Sequence, residues 1–144
     1  MTKAKEMWFL VADSEHARLM HGTLTAHGRP HVDEIVQIKS SFHVGQHQRP
    51  TRMTGHGHSP SFGHEHEEKL AHFAREVAGL LQKELPGRQI AECAVFAPSH
   101  FVGALRKELP KALAERLQEF EVEIANLTSA QLAEHPKITD RLGM

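Results

Sequence analysis

The sequence predicts an α/β protein in which a mixed β-sheet is flanked by helices. Two near-continuous apolar runs, residues 7–12 (MWFLVA) and 90–97 (IAECAVFA), are typical of strands buried on both faces. Between them, apolar residues recur at helical spacing from Leu70 to Leu81, which predicts a crossover helix packed on the sheet. A strand reached through such a crossover is normally parallel to its neighbour, so the sheet should contain parallel strands.

Composition predicts one soluble domain. The chain has 144 residues, of which 40% are apolar and 24% charged, and this is ordinary for a single globular domain. We expect a core over about residues 7–135, a histidine-rich loop at 41–66 and a loose tail at 137–144. The formal net charge of −1 gives no overall attraction to nucleic acid or to anionic lipid. The first apolar run is too short for a signal peptide or a membrane span, so we expect a cytoplasmic protein with no membrane partner.

The first 39 residues predict a three-stranded antiparallel meander. The apolar run at 7–12 is broken by turn-forming residues at 13–16, and a second short strand follows at 17–21. A turn rich in glycine and proline at 26–30 then leads into a third strand at 31–39. The meander therefore supplies the antiparallel part of the mixed sheet.

The next part of the chain predicts helices around the second buried strand. A helix over about residues 65–85 should stop at Pro86 and Gly87. After the second buried strand, Ser99 is a suitable N-cap for another helix. Pro110 either kinks that helix or occupies the first position of a separate one.

The last part of the chain predicts one more strand and one more helix. Apolar residues alternate with glutamates over residues 120–124, which favours a half-exposed strand with an acidic outer face. Thr128 and Gln131 have the spacing of a capping box, and Pro136 should end the short helix that they begin. The complete order is three strands followed by helix, strand, helix, strand and helix.

Three segments of the chain resemble one bacterial protein family. They are MWFLVADSEHARLM near the start, VFAPSHFVGALRKELPKAL after the crossover, and NLTSAQLAEH near the end. In these segments the chain is similar to the family labelled "protein required for attachment to host cells", over roughly residues 8–135. The resemblance implies a fold similar to the central domain of the eukaryotic and archaeal translation termination factor. These motifs mark the fold, so the resemblance supports the fold more strongly than an activity.

The resemblance also implies a partner for the histidine-rich loop. In the termination factor, the loop after the third strand carries a Gly-Gly-Gln tip that promotes peptide release. The matching loop here contains Val44-Gly45-Gln46, and a valine resists the backbone angles that a glycine pair permits. Release activity is therefore not expected, whereas contact with RNA or the ribosome is the fold-level expectation. The residues that we assign to such a contact are His43, Gln46, His47, Arg49 and Arg52.

A metal site is the alternative use of the same loop. The sequence has 13 histidines, and two His-x-His pairs separated by glycines lie close together in residues 56–66. Neutral imidazole nitrogens suit zinc and nickel, and a helix N-terminus at the second pair would disfavour the charged imidazolium. The predicted ligands are His56, His58, His64 and His66.

Catalytic motifs are not recognisable in the sequence, so we expect no enzyme activity. There is no phosphate-binding glycine loop and no G-x-S-x-G elbow. Asp13, Ser14 and His16 follow one strand, and Ser99 with His100 follows another, but the first group is typical of a turn and Ser99 of a helix cap. Cys93 is the only cysteine and lies in an apolar run, which favours a small core residue.

Overall fold

A computed structural model describes residues 5–41 and 60–143, with side chains given outside residues 60–66. Within these ranges a five-stranded sheet lies between two layers of helices. The elements, in chain order, are β1 (Lys5–Ala12), β2 (His16–Leu24), β3 (Pro30–Lys39), α1 (Pro60–Gly87), β4 (Cys93–Phe96), α2 (Ser99–Glu108), α3 (Lys111–Ala114), β5 (Leu117–Phe120), α4 (Ser129–Ala133) and α5 (Pro136–Arg141). The α/β prediction is confirmed.

The strand order in the sheet is β3-β2-β1-β4-β5. β1 pairs antiparallel with β2, and β2 pairs antiparallel with β3, which confirms the three-stranded meander. β4 pairs parallel with β1 on one side and with β5 on the other. The sheet is therefore mixed, and the expected parallel pairing of the second buried strand is confirmed.

Strand β1 lies at the centre of the sheet and is buried on both faces. Leu10 and Ala12 point to the face covered by α1 and α2. Phe9 and Val11 point to the face covered by α4 and α5. All four side chains have no exposed surface. This alternation explains why the strand reads as a continuous apolar run instead of an alternating one.

The predicted starts of two helices were wrong. The helix expected over 65–85 begins five residues earlier, at Pro60. Ser99 does not cap α2, because Pro98 occupies the N-cap position and no side chain caps the helix there. Of the two alternatives for Pro110, the separate helix is close to the observation. Pro110 lies one position before α3 and Leu109 is extended, as expected of a residue that precedes proline.

The predicted strand at 120–124 was also wrong. The fifth strand is Leu117–Phe120, which pairs with β4 and ends where Ala97 donates its backbone N–H to the Phe120 carbonyl at 3.1 Å. Val122 then turns back to bond the same carbonyl at 3.0 Å. Val122 and Ile124 still pack into the core on the α4/α5 face, so an alternation of apolar side chains arises without a strand.

The C-terminal tail is part of the core and is not loose. The capping box of Thr128 and Gln131 is confirmed at the start of α4. Pro136 begins α5 instead of ending a helix, since its fixed φ suits the first helical position. Ile138 and Leu142 have no exposed surface and pack against the sheet. Ile138 and Leu142 have the i, i+4 spacing of a helix, but two apolar residues are too few to establish a periodicity in the sequence.

Helix α1 ends in a Schellman motif with an unusual residue in its left-handed position. Ile90 donates its N–H to the Leu85 carbonyl at 2.7 Å, and Gln89 donates to the Pro86 carbonyl at 3.1 Å. Gln89 has φ of 58°, in the region that favours glycine. Gly87, which the sequence suggested as the stop, belongs to the helix and has no positive φ.

Gln89→Gly should therefore stabilise the protein. A non-glycine residue in left-handed backbone costs about 1–2 kcal/mol. Glycine instead loses roughly 0.5–1 kcal/mol of backbone entropy on folding, so the net gain should be about 0.5–1 kcal/mol. Urea unfolding should show a higher midpoint for this variant and a lower midpoint for Gln89→Val.

Gly87→Ala is the matched control for this prediction. Because Gly87 is helical and a Cβ there meets nothing within 4 Å, alanine should stabilise the fold slightly. If Gly87→Ala destabilised the protein and Gln89→Gly did not stabilise it, the left-handed position would be at Gly87 and our assignment of the motif would be wrong.

Candidate functional site

The carboxyl ends of β1, β3, β4 and β5 lie at one edge of the sheet, because these four strands run in the same direction. In open α/β sheets ligands bind at this edge. The connections that meet there are the turn 13–15, residues 40–41, residues 97–98 and residues 121–128. We call this region the carboxyl edge.

Asp13 at the carboxyl edge serves the turn between β1 and β2. Its Oδ1 accepts the backbone N–H of Glu15 at 2.8 Å and that of His16 at 2.7 Å. The His16 Nδ1 lies 3.5 Å from the same oxygen. The carboxylate is therefore committed to holding the turn, as the sequence indicated. No described hydrogen bond or ion pair joins Asp13 or His16 to Ser99 or His100.

Ser41 leaves the sheet through a set of polar contacts with α1. Its backbone N–H donates to Glu76 Oε1 at 3.1 Å, and its hydroxyl donates to Glu76 Oε2 at 2.6 Å. The His72 Nε2 lies 3.0 Å from the same hydroxyl oxygen. Ser40, one residue earlier, donates its N–H to the Glu15 carbonyl at 2.8 Å. These contacts, which we call the exit cluster, fix the point where the histidine-rich loop departs.

Helix α1 extends past the carboxyl edge at its N-terminal end. The Lys69 ammonium contacts Glu15 Oε2 at 3.2 Å, so residue 69 lies level with the turn at this edge. Residues 60–68 precede it in the helix. At 1.5 Å per residue they carry the helix roughly 13 Å further. The histidine-rich loop therefore begins at the edge, and the helix that follows it starts beyond the edge.

Most of the predicted binding and metal residues lie outside the described residues. These are His43, Gln46, His47, Arg49, Arg52, His56 and His58. His64 and His66 lie in α1, where only the backbone is described. The early start of α1 places them in its second turn and not at its N-terminus, so the expected effect of the helix dipole on them is weaker.

The helical conformation also restricts how His64 and His66 could act together. Positions two residues apart on a helix lie about 200° apart around its axis. One ion at the side of the helix would therefore use one of these two positions and not both. Among the residues that the structure describes, no group of three or more His, Cys, Asp or Glu side chains is arranged to hold a metal.

Arg18 is a feature of the carboxyl edge that the sequence did not reveal. Its side chain is only 10% exposed, and its Nε donates to Glu34 Oε1 at 2.7 Å. Its Nη1 donates to the carbonyls of Ala125 at 3.1 Å and Leu127 at 2.6 Å. The guanidinium thus ties the connection after β5 to β2, and a small cavity of about 320 Å³ opens beside it. The only sequence signal was a charged residue within a buried run.

Cys93 is a buried core residue whose thiol is protonated at neutral pH. It lies in β4 and is fully buried, as the sequence predicted. Burial raises the pKa of its thiol to about 12 because the thiolate would be desolvated. The nucleophilic thiolate form is therefore negligible.

The described residues define a small α/β protein whose chain leaves the sheet at residue 41, at the carboxyl edge, and is described again from residue 60, where α1 begins. A family model described as "Protein required for attachment to host cells" matches residues 8–135. The chain belongs to that family. The match confirms the resemblance seen in the three sequence segments.

Other comparisons add little to this assignment. A PPX-GPPA enzyme from Aquifex aeolicus is among the solved structures that match, with 10% sequence identity and a TM-score of 0.38. The match covers 82% of this chain and 36% of that one, so the chain spans about a third of the length of its structural neighbour. Comparison with curated proteins gave no match. None of the helices within the described residues is both long and apolar enough to cross a membrane.

The exit cluster leads to a testable coupling between Ser41 and Glu76. Ser41→Ala removes the hydroxyl, and Glu76→Ala removes both acceptor oxygens. Because the two residues share a charge-assisted hydrogen bond at a partly exposed site, each change should lower the free energy of unfolding by about 0.5–1.5 kcal/mol. The double variant should lose less than the sum, with an interaction energy on the order of 0.5–1 kcal/mol in a double-mutant cycle.

Glu68→Ala is the control on the same helix, since Glu68 is exposed and precedes the exit cluster. It should change stability by less than about 0.5 kcal/mol. Strictly additive effects of Ser41→Ala and Glu76→Ala would show that the two residues do not hold the exit together.

Proposed function

We propose that this member of the host-attachment family is a non-enzymatic cytoplasmic binding protein whose working surface is the histidine-rich loop assigned to residues 41–66, of which residues 60–66 begin α1. The observation that carries the proposal is the way the structure frames this loop. The exit cluster fixes its beginning at the carboxyl edge, and α1 begins beyond the same edge. The loop is thus attached where α/β proteins bind their ligands.

RNA, and specifically the ribosome, is the partner that we propose. Two arguments support it. Arg49 and Arg52, together with His43 and His47, make the loop locally basic below neutral pH, although the whole chain carries a net charge of −1. The sequence resemblance implies a fold similar to the termination factor's central domain, where the corresponding loop acts at the ribosome, and this analogy is the second argument for the same partner. In this analogy Gln46 of the sequence Val44-Gly45-Gln46 would correspond to the glutamine of that factor's tip.

The second candidate function is zinc or nickel binding by the histidines of the same loop. The observation that favours it is the spacing of His56, His58, His64 and His66 within eleven residues. Because α1 contains positions 64 and 66 on different sides of the helix, an ion would take one of them. Glu68 lies four residues after position 64, on the same side of the helix, and could add an oxygen ligand.

Co-sedimentation of the untagged protein with ribosomes at increasing salt tests the first proposal. An RNA contact requires that the bound fraction falls with salt. Each phosphate contact to a single strand contributes about −0.7 to the slope of the logarithm of the binding constant against the logarithm of the salt concentration. Arg49→Ala combined with Arg52→Ala removes two such contacts, so it should weaken binding and reduce the magnitude of this slope by roughly 1.4. Arg29→Ala is the matched control, because Arg29 is exposed in the turn between β2 and β3 at the opposite edge.

The same experiment separates the two candidates. A zinc-selective chelator that leaves Mg²⁺ in place should not change ribosome binding if the contact is to RNA alone. It should abolish ribosome binding if that binding depends on a zinc or nickel ion held by the histidines. His56→Ala combined with His64→Ala should leave RNA binding unchanged, and it should abolish zinc or nickel binding if these histidines are the ligands. Absence of co-sedimentation at low salt would sink the RNA proposal.

A further inference from the structure

The sheet has a gap at its amino edge, which is the end of the sheet where β1, β4 and β5 begin, opposite the carboxyl edge. β1 pairs with β2 along its whole length, from Lys5 to Ala12. It pairs with β4 only from Phe9 to Val11, because β4 begins at Cys93. Among the described strands, the backbone of residues 5–7 therefore has a partner on one side alone. We call the resulting opening the amino-edge notch.

The amino-edge notch is a cavity of about 440 Å³. Its floor consists of Met7, Ala94 and Gln118, from the three neighbouring strands β1, β4 and β5. Met7 and Ala94 belong to the core on the α4/α5 face, whereas Trp8 and Ile90 belong to the core on the α1/α2 face, so the notch lies across the end of the sheet. The connection 89–92 forms its back and Arg141 of α5 forms one wall. A volume of this size is in the range of small-molecule sites.

Two opposite charges lie on either side of a neutral amide in the amino-edge notch. The Gln118 Nε2 donates to Glu92 Oε1 at 3.4 Å, and the Arg141 Nη2 donates to Gln118 Oε1. The Arg141 guanidinium also lies 4.9 Å from the centre of the Phe120 ring, which holds it in place. Within the described residues neither Glu92 nor Arg141 takes part in an ion pair. Gln118 thus bridges a carboxylate and a guanidinium, neither of which has a charged partner among the described residues.

We propose that the amino-edge notch binds a zwitterionic small molecule of the free amino-acid type. Arg141 takes the carboxylate of the ligand, since a guanidinium offers parallel N–H donors that match two carboxylate oxygens. Glu92 takes the ammonium group. The unpaired backbone of β1 supplies further donors and acceptors, as it would to a neighbouring strand. Met7, Ile90 and Ala94 give an apolar surface for an aliphatic ligand side chain.

The test uses leucine as the probe and the full-length untagged protein. Saturation-transfer NMR should show transfer to the leucine methyl groups, and the effect should saturate as leucine is added. Trp8 is the only tryptophan and also lines the notch, so its fluorescence emission gives a second measure of binding. Leucine does not absorb at the wavelength that excites tryptophan. N-acetyl-leucine lacks the ammonium and leucinamide lacks the carboxylate, and each should bind at least tenfold more weakly than leucine.

Glu92→Gln and Arg141→Met remove one charge each from exposed positions. Each variant should weaken leucine binding at least tenfold. Glu121→Gln is the matched control, because Glu121 is exposed and lies outside the notch, and it should bind leucine as the wild type does. The proposal is overturned if leucine gives no saturable transfer, if leucinamide and N-acetyl-leucine bind as well as leucine, or if both charge variants bind leucine normally.

Discussion

The burial of β1 on both of its faces is the constraint on which the rest of the structure depends. One helical layer covers Leu10 and Ala12, and the other covers Phe9 and Val11. Truncating one large buried side chain to alanine typically costs about 2–5 kcal/mol. That is a large part of the 5–15 kcal/mol that stabilises an ordinary domain. Neither layer is therefore dispensable, which is why the short C-terminal helices α4 and α5 are as much part of the core as the 28-residue helix α1.

The lengths of the elements around β1 determine the two edges of the molecule. α1 is longer than the strands it crosses, so its N-terminal turns project past the carboxyl edge. β4 is shorter than β1, so among the described strands the start of β1 is paired with β2 alone. Both the proposed partner contact and the proposed ligand notch thus arise because neighbouring elements differ in length, one at each end of the sheet. Because they share no residue, a change at one edge leaves the groups of the other in place.

The sequence predicted the parts of the fold that depend on strong local patterns. The double-sided apolar runs identified β1 and β4, and the capping box of Thr128 and Gln131 located α4. Where it failed, tertiary contacts override local signals. Val122 and Ile124 alternate like a strand but fill the core beyond the end of β5. Ile138 and Leu142 are too sparse to show periodicity, although the sheet buries both completely.

The candidate sites were less predictable than the fold. The residues of the amino-edge notch come from β1, the connection before β4, β5 and α5, so no local motif joins them. Arg18 reads as an ordinary strand residue, and only the folded chain brings the carbonyls of Ala125 and Leu127 to its guanidinium. The histidine-rich loop shows the reverse case. Its composition is conspicuous in the sequence, and seven of its nine predicted binding and metal residues lie outside the described residues.

The histidine-rich loop is proposed to do the binding, and we expect the core to fold without it. The most direct test replaces residues 43–58 by a ten-residue Gly-Ser linker, which at about 3.3 Å per residue spans up to roughly 33 Å. Thermal unfolding and ribosome co-sedimentation would then be measured on the same preparation. Our account predicts cooperative unfolding close to that of the wild type together with loss of co-sedimentation. A variant that fails to fold, or one that still sediments with ribosomes, would contradict it.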